Sequence, residues 1–143
     1  MKTLNKNSGF TLLEVIIVVI IVGVLASLAL PRFFAMVEYS RTAEALNVIT
    51  SLRGAIERCE LQKGIANCTH ANWANLSMND PGNSPNAHWD YTIDDVAVGT
   101  YTILCTRNSV DDSGGYDGNT IEVEVDATAM TITRTGSGPY AGI

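Results

Sequence analysis

A chain of 143 residues with 9 basic and 15 acidic side chains is acidic overall, with a formal net charge of −6 at neutral pH. That balance argues against nucleic-acid binding through a basic surface, and the length predicts one modest core. The hydrophobic residues are densest in one N-terminal run, 17 of the 21 residues from Phe10 to Leu30, and the rest of the chain is more polar and acidic.

Taken in order, the chain opens on a short polar leader holding Lys2 and Lys6 and ending at Gly9. From Phe10 to Leu30 there follow 21 residues with a single ionisable side chain, Glu14. About 20 predominantly apolar residues are enough to cross a bilayer as a helix. A secretory signal peptide carries its small-residue cleavage site after the apolar region, whereas here Gly9 precedes it. Cleavage at Gly9 would therefore leave the hydrophobic segment on the mature protein. An acid at the centre of a membrane helix costs roughly 2.5 to 3.5 kcal/mol, so Glu14 either sits close enough to the membrane surface to stay hydrated or has a partner. Lys2 and Lys6 flank one side of the run and only Arg32 lies close on the other, which predicts a cytoplasmic leader and an outward-facing remainder.

The string GFTLLEVIIVVIIVGVLASLALPRF, residues 9–33, resembles the processing and assembly signature of type IV pilins and of the pseudopilins of type II secretion. The resemblance covers the leader and the first half of the helix in close detail. It implies that a prepilin peptidase, also a methyltransferase, cuts between Gly9 and Phe10 and N-methylates Phe10. It further implies that Glu14, the fifth mature residue, pairs with the charged N-terminus at Phe10 of a neighbouring subunit during assembly, and that Gly23 and Pro31 mark helix bends. The domains expected on this basis are a leader over 1–9, a transmembrane and assembly half-helix over 10–30, and a periplasmic or extracellular globular domain over 31–143. The implied partners are further copies of the chain, the peptidase, an inner-membrane assembly platform and the membrane itself, with no cofactor. Without Lys2 and Lys6 the mature chain keeps seven basic against fifteen acidic side chains, an acidic exterior suited to a solvated surface outside the cell.

Beyond Pro31 the helical pattern resumes, since proline removes one backbone donor and bends a helix without having to end it. Leu46, Ile49, Leu52, Ile56 and Cys59 recur at spacings of three and four, an amphipathic stripe that must face a partner, and Gly64 follows Lys63 as a C-terminal cap. Residues 65–88 read as a connecting loop, with Asp80-Pro81-Gly82-Asn83 as its clearest turn. Strands are predicted at Trp89–Ile93, Thr100–Arg107, Thr120–Asp126 and Met130–Thr135 from their β-branched and aromatic content. Ile121, Val123 and Val125 alternate with Glu122, Glu124 and Asp126, as in a strand with one dry and one wet face. The fold class is thus α+β: a long N-terminal helix packed on an antiparallel sheet of about four strands, which is also the pilin fold the resemblance implies. Residues 108–119 read as a long exposed acidic loop, and the tail from Gly136 as irregular.

Cys59, near the helix end, and Cys68, just past the Gly64 turn, come within bonding range if the chain folds back; a Cys59 to Cys105 bond is the rival pairing. In the preferred pairing Cys105 is a buried free thiol sharing a strand face with Tyr101 and Ile103. Metal binding by the cysteines with His70 and His88 is not expected, because the paired spacings of structural zinc sites are missing, and the two histidines read as loop-surface residues. Asp111, Asp112 and Asp117 could offer oxygens to calcium, but there is no EF-hand pattern and the loop reads as solvated acid. No nucleophile elbow, phosphate loop or zinc-protease helix is present, so no enzyme is predicted. The function expected is that of a filament subunit, a type IV pilin, with a type II secretion pseudopilin as the alternative and a monomeric membrane-anchored binding domain as the reading from another class.

Overall fold

The computed structural model describes residues 10–110 and 115–142. The leader with Lys2, Lys6 and Gly9, and the acids Asp111 and Asp112, lie outside the described residues. The chain divides into two compact units, one ending at Glu38 and the other spanning Tyr39–Ile143, and helix α1, Leu12–Lys63, contributes residues to both. Pro31 sits inside α1 without ending it.

In the second unit the reason for helix is the spacing of its apolar residues. Ala45, Ile49, Leu52, Ala55, Ile56 and Cys59 are buried, and steps of three and four place them on one face. Ala45 takes a core place next to Leu46, which is only half-buried. On the solvent side Arg53 and Glu57 form an i,i+4 ion pair at 3.6 Å, worth a few tenths of a kcal/mol. The helix stops at Gly64, whose φ of 79° is open to glycine and strained for any other residue.

That face packs on a four-stranded antiparallel sheet in the order β1-β2-β3-β4: β1 Trp89–Ala97, β2 Thr100–Arg107, β3 Thr120–Asp126 and β4 Thr131–Gly136. Ile93, Ile103 and Val123 stand opposite one another in the register and are buried together. Each fully buried aliphatic chain contributes roughly 1.5 to 3 kcal/mol of transfer free energy. Trp89 Nε1 donates to the Arg41 carbonyl at 3.0 Å, tying β1 to α1.

Four boundaries differ from the sequence expectation, each for a local reason. β1 runs on from Ile93 to Ala97, with a register irregularity between Asp94 and Ala97, so pairing with β2 overrides the poor strand propensity of its aspartates. β4 starts at Thr131 rather than Met130, because Met130 has φ of 54° in the preceding turn, where Asp126 Oδ1 accepts the Thr128 and Ala129 amides at 2.8 Å each. The 65–88 connection contains two 3-10 helices, Ile65–Asn67 and His70–Leu76, which bury Ile65 and Leu76. The tail is not irregular throughout: Gly138–Tyr140 forms a 3-10 turn that seats the Tyr140 ring 5.2 Å from Trp89. A Cβ at Gly136 would run into the Tyr140 carbonyl, so that close approach requires glycine.

Candidate functional site

In the first unit the described residues are 10–38, and every one from Phe10 to Met36 is exposed. A soluble helix hides its apolar stripe, yet here the apolar side chains surround the helix and none is covered by the described residues. The segment is long and apolar enough to cross a membrane. Ser27 satisfies its hydroxyl internally by donating to the Val24 carbonyl at 2.8 Å, so it presents no unmet donor to an apolar surrounding. Nothing within the chain approaches the open side of Gly23.

The start of α1 shows why Glu14 stands where it does. The first amides of a helix have no partner four residues back, and Thr11 supplies one: its Oγ1 accepts the Glu14 amide at 3.3 Å, beside its carbonyl at 3.1 Å. Thr11-Leu12-Leu13-Glu14 is the capping pattern in which threonine precedes the helix and an acid follows three residues later. The Thr11–Glu14 spacing is the sequence signal for this cap. It puts the carboxylate in the first turn, where the amide dipoles favour negative charge, with Phe10 just outside the helix and 79% exposed. Phe10 and Glu14 are thus brought to the same end of an apolar run, residues 10–30, that carries no other charged side chain.

In the second unit Cys59 and Cys68 are joined by a disulfide with Cα atoms 5.9 Å apart, and Cys105 is free and buried. Burial pushes the Cys105 thiol up to about 12, so it stays protonated at neutral pH. The histidines are half-buried rather than loop-surface residues. His70 Nδ1 lies 2.9 Å from the carbonyl and 3.2 Å from the amide of Ile93, while His88 Nδ1 is 3.7 Å from Glu44. Among the described residues no three of His, Cys, Asp or Glu converge as metal ligands.

The base of the 108–119 loop is held by a residue whose role was not evident in the sequence, Arg107. It is 1% exposed, and its Nη1 donates to the carbonyls of His88 at 3.0 Å, Asn108 at 2.7 Å and Val110 at 3.3 Å. Asn108 Nδ2 adds a bond to the Ala87 carbonyl at 2.6 Å. Periodicity alone assigns Arg107 an inward place on β2, and the carbonyls that take its charge become visible only in the folded chain.

With this geometry in place, comparison with known proteins gives a consistent result. The family model for the prokaryotic N-terminal methylation motif matches residues 4–30. The type IV major fimbrial protein FimA of Dichelobacter nodosus is 33% identical over 103 residues, 72% of this chain and 63% of the relative. Type II secretion system core protein G of Vibrio cholerae is 37% identical over 65 residues, 46% of this chain and 44% of the relative. Its namesake in Escherichia coli is 38% identical over 61 residues, 43% of this chain and 42% of the relative. The chain thus spans less than two thirds of the length of these curated relatives. No solved structure matches it. The chain carries the methylation motif and is a relative of type IV fimbrial and type II secretion core proteins.

Proposed function

We propose that this chain is the structural subunit of a helical filament assembled from the inner membrane, a type IV pilin. The observation that carries the reading is the fully exposed apolar helix with one carboxylate in its first turn, inside a segment matched by the methylation-motif model. An exposed apolar surface of this size needs lipid or its own kind around it, and a subunit drawn from the membrane into a filament exchanges the first for the second.

In this reading the leader is cut between Gly9 and Phe10, and Phe10 is N-methylated by the peptidase that cuts it. The Phe10 ammonium of one subunit then meets Glu14 of the next. Pairing offsets the cost of carrying a carboxylate in an apolar environment, and because only one axial offset brings the two charges together, it also sets register. Gly23 and Pro31 let the helix bend during this transfer, and the Cys59–Cys68 bond fixes the start of the 65–88 connection to the helix end. The leader faces the cytoplasm, and residues 31–143 face outward on a pilus.

The pseudopilin reading remains the second candidate, and match length favours the first. The fimbrial match extends over 103 residues, against 65 for core protein G. The test replaces Glu14 with alanine in cells that make the filament. Mature, N-methylated subunit should accumulate in the membrane while surface filaments disappear. Filaments at wild-type abundance from Glu14→Ala, or mature protein beginning elsewhere than at a methylated Phe10, would refute the proposal.

A further inference from the structure

We infer that the groove between α1 and β4 is an interface, occupied by the outer sheet face of a second copy presenting Glu122 and Glu124. The inference rests on the filament reading and gives it a lateral contact in the globular unit.

The groove opens beside α1 where β4 stays uncovered. Thr131 through Thr135 are all exposed, although the register places Ile132 opposite the buried Val125 and Arg134 opposite the buried Val123, on the helix-facing side. The space left is about 350 Å³, with Leu46, Ile49, Val123 and Ile132 as its apolar lining and Arg53 and Arg134 as its charged rim. Ile132 remains 50% exposed there. Arg53 already has Glu57, but among the described residues Arg134 has no carboxylate within ion-pairing distance.

The complement lies on the opposite face of the same sheet. Glu122 and Glu124 are exposed and two residues apart on β3, so they point the same way about 7 Å apart. Their cross-strand neighbours are Leu104 and Thr102 on β2, and Thr135 and Thr133 on β4. None is a cation. Among the described residues, two carboxylates without counter-charge stand on one side, and a guanidinium without a carboxylate partner on the other.

Neither surface matches itself, since like charges would meet. The contact is therefore heterologous, and a heterologous contact that does not close into a ring propagates as a helix. That is the symmetry a filament requires. An acidic segment of an unrelated protein is the competing occupant.

The test uses the full chain in cells that make the filament. Arg134→Glu should cut sheared filament mass about tenfold or more, as expected when a charge pair is turned into a repulsion, while mature subunit persists in the membrane with an unchanged melting temperature. Combining Arg134→Glu with Glu124→Arg should restore the filaments. Arg134→Cys together with Glu124→Cys should give a ladder of disulfide-linked subunits that neither single variant gives. Unchanged filament mass for Arg134→Glu, a swap no better than the single variant, or cross-links only to another protein would overturn this inference while leaving the filament reading intact. Absence of filaments from the wild type would overturn both.

Discussion

Replacing Arg107 with methionine keeps a long unbranched stem in the same space and removes the guanidinium, so it isolates the polar contribution of that residue. Its Nη1 serves three carbonyls, which do not lose equally. The His88 carbonyl keeps the Asn108 amide at 3.1 Å, and Val110 is at the surface, where water can replace the lost donor. The Asn108 carbonyl, bonded at 2.7 Å, loses a charge-assisted bond worth about 1.5 to 3 kcal/mol. Adding a smaller loss at the other two gives a total of about 3 kcal/mol. A unit the size of residues 39–143 has an unfolding entropy of about 0.22 kcal/mol/K, so the melting temperature should fall by about 14 °C. Calorimetry of the full chain in detergent measures this, with Arg107→Lys expected to recover about half because an ammonium still reaches one or two carbonyls. Amide exchange should quicken at Val110, whose N–H rests on Asn108 Oδ1 at 3.2 Å. A loss below about 1 kcal/mol, or a lysine variant no better than methionine, would show that these carbonyls do not depend on Arg107.

Opening the Cys59–Cys68 bond, which closes a separation of 9 residues, should cost about 2.6 kcal/mol by loop entropy, read as a drop of about 12 °C on adding reductant; no shift would refute it. Cys105 should resist alkylation at pH 8 in the native chain and react on unfolding, since burial holds its thiol protonated up to about 12. Burial raises Tyr91 and Tyr101 as well. Because the folded values of these acids lie above the unfolded ones, their contribution to stability is complete below pH 9 and is lost as pH rises towards 12. Melting temperature against pH should show that fall, and Cys105→Ala should make it shallower. Tyr140→Ala removes the ring 5.2 Å from Trp89 and should shift tryptophan emission to the red while costing about 3 kcal/mol.

The parts of this fold that were legible in the sequence are those written in one repeating pattern. The stripe through Ile49, Leu52 and Ile56 marks the packed helix face, and the alternation of Ile121, Val123 and Val125 with acids marks β3, because each side chain there reports its own burial. Tyr140 and Leu76 carry no such pattern. Their burial depends on a tail and a connection returning to meet Trp89 and the helix end, and that return is decided by residues far away in the chain. Arg107 is the sharpest case. A charge at the last position of a strand normally signals solvent, and the carbonyls that accept it here come from residues 88, 108 and 110, which only β1–β2 pairing brings together. At the first-unit site Glu14 is legible as an anomaly, while Thr11 fixes its place in the first turn through a hydrogen bond that only the folded helix start shows.

The sheet joins each strand to its neighbour in sequence, and this has a kinetic meaning. Hairpins between successive strands close short loops and form within microseconds to milliseconds, so residues 89–136 can assemble with little search. Residues 45–59 of α1 have no such local partner. Their covering surface is synthesised after them, so on a nascent chain that greasy ridge remains uncovered until the β3–β4 hairpin is complete. Any device that shields it in the interval, whether a chaperone or the membrane edge, acts on a face whose apolar side chains later pack into the core.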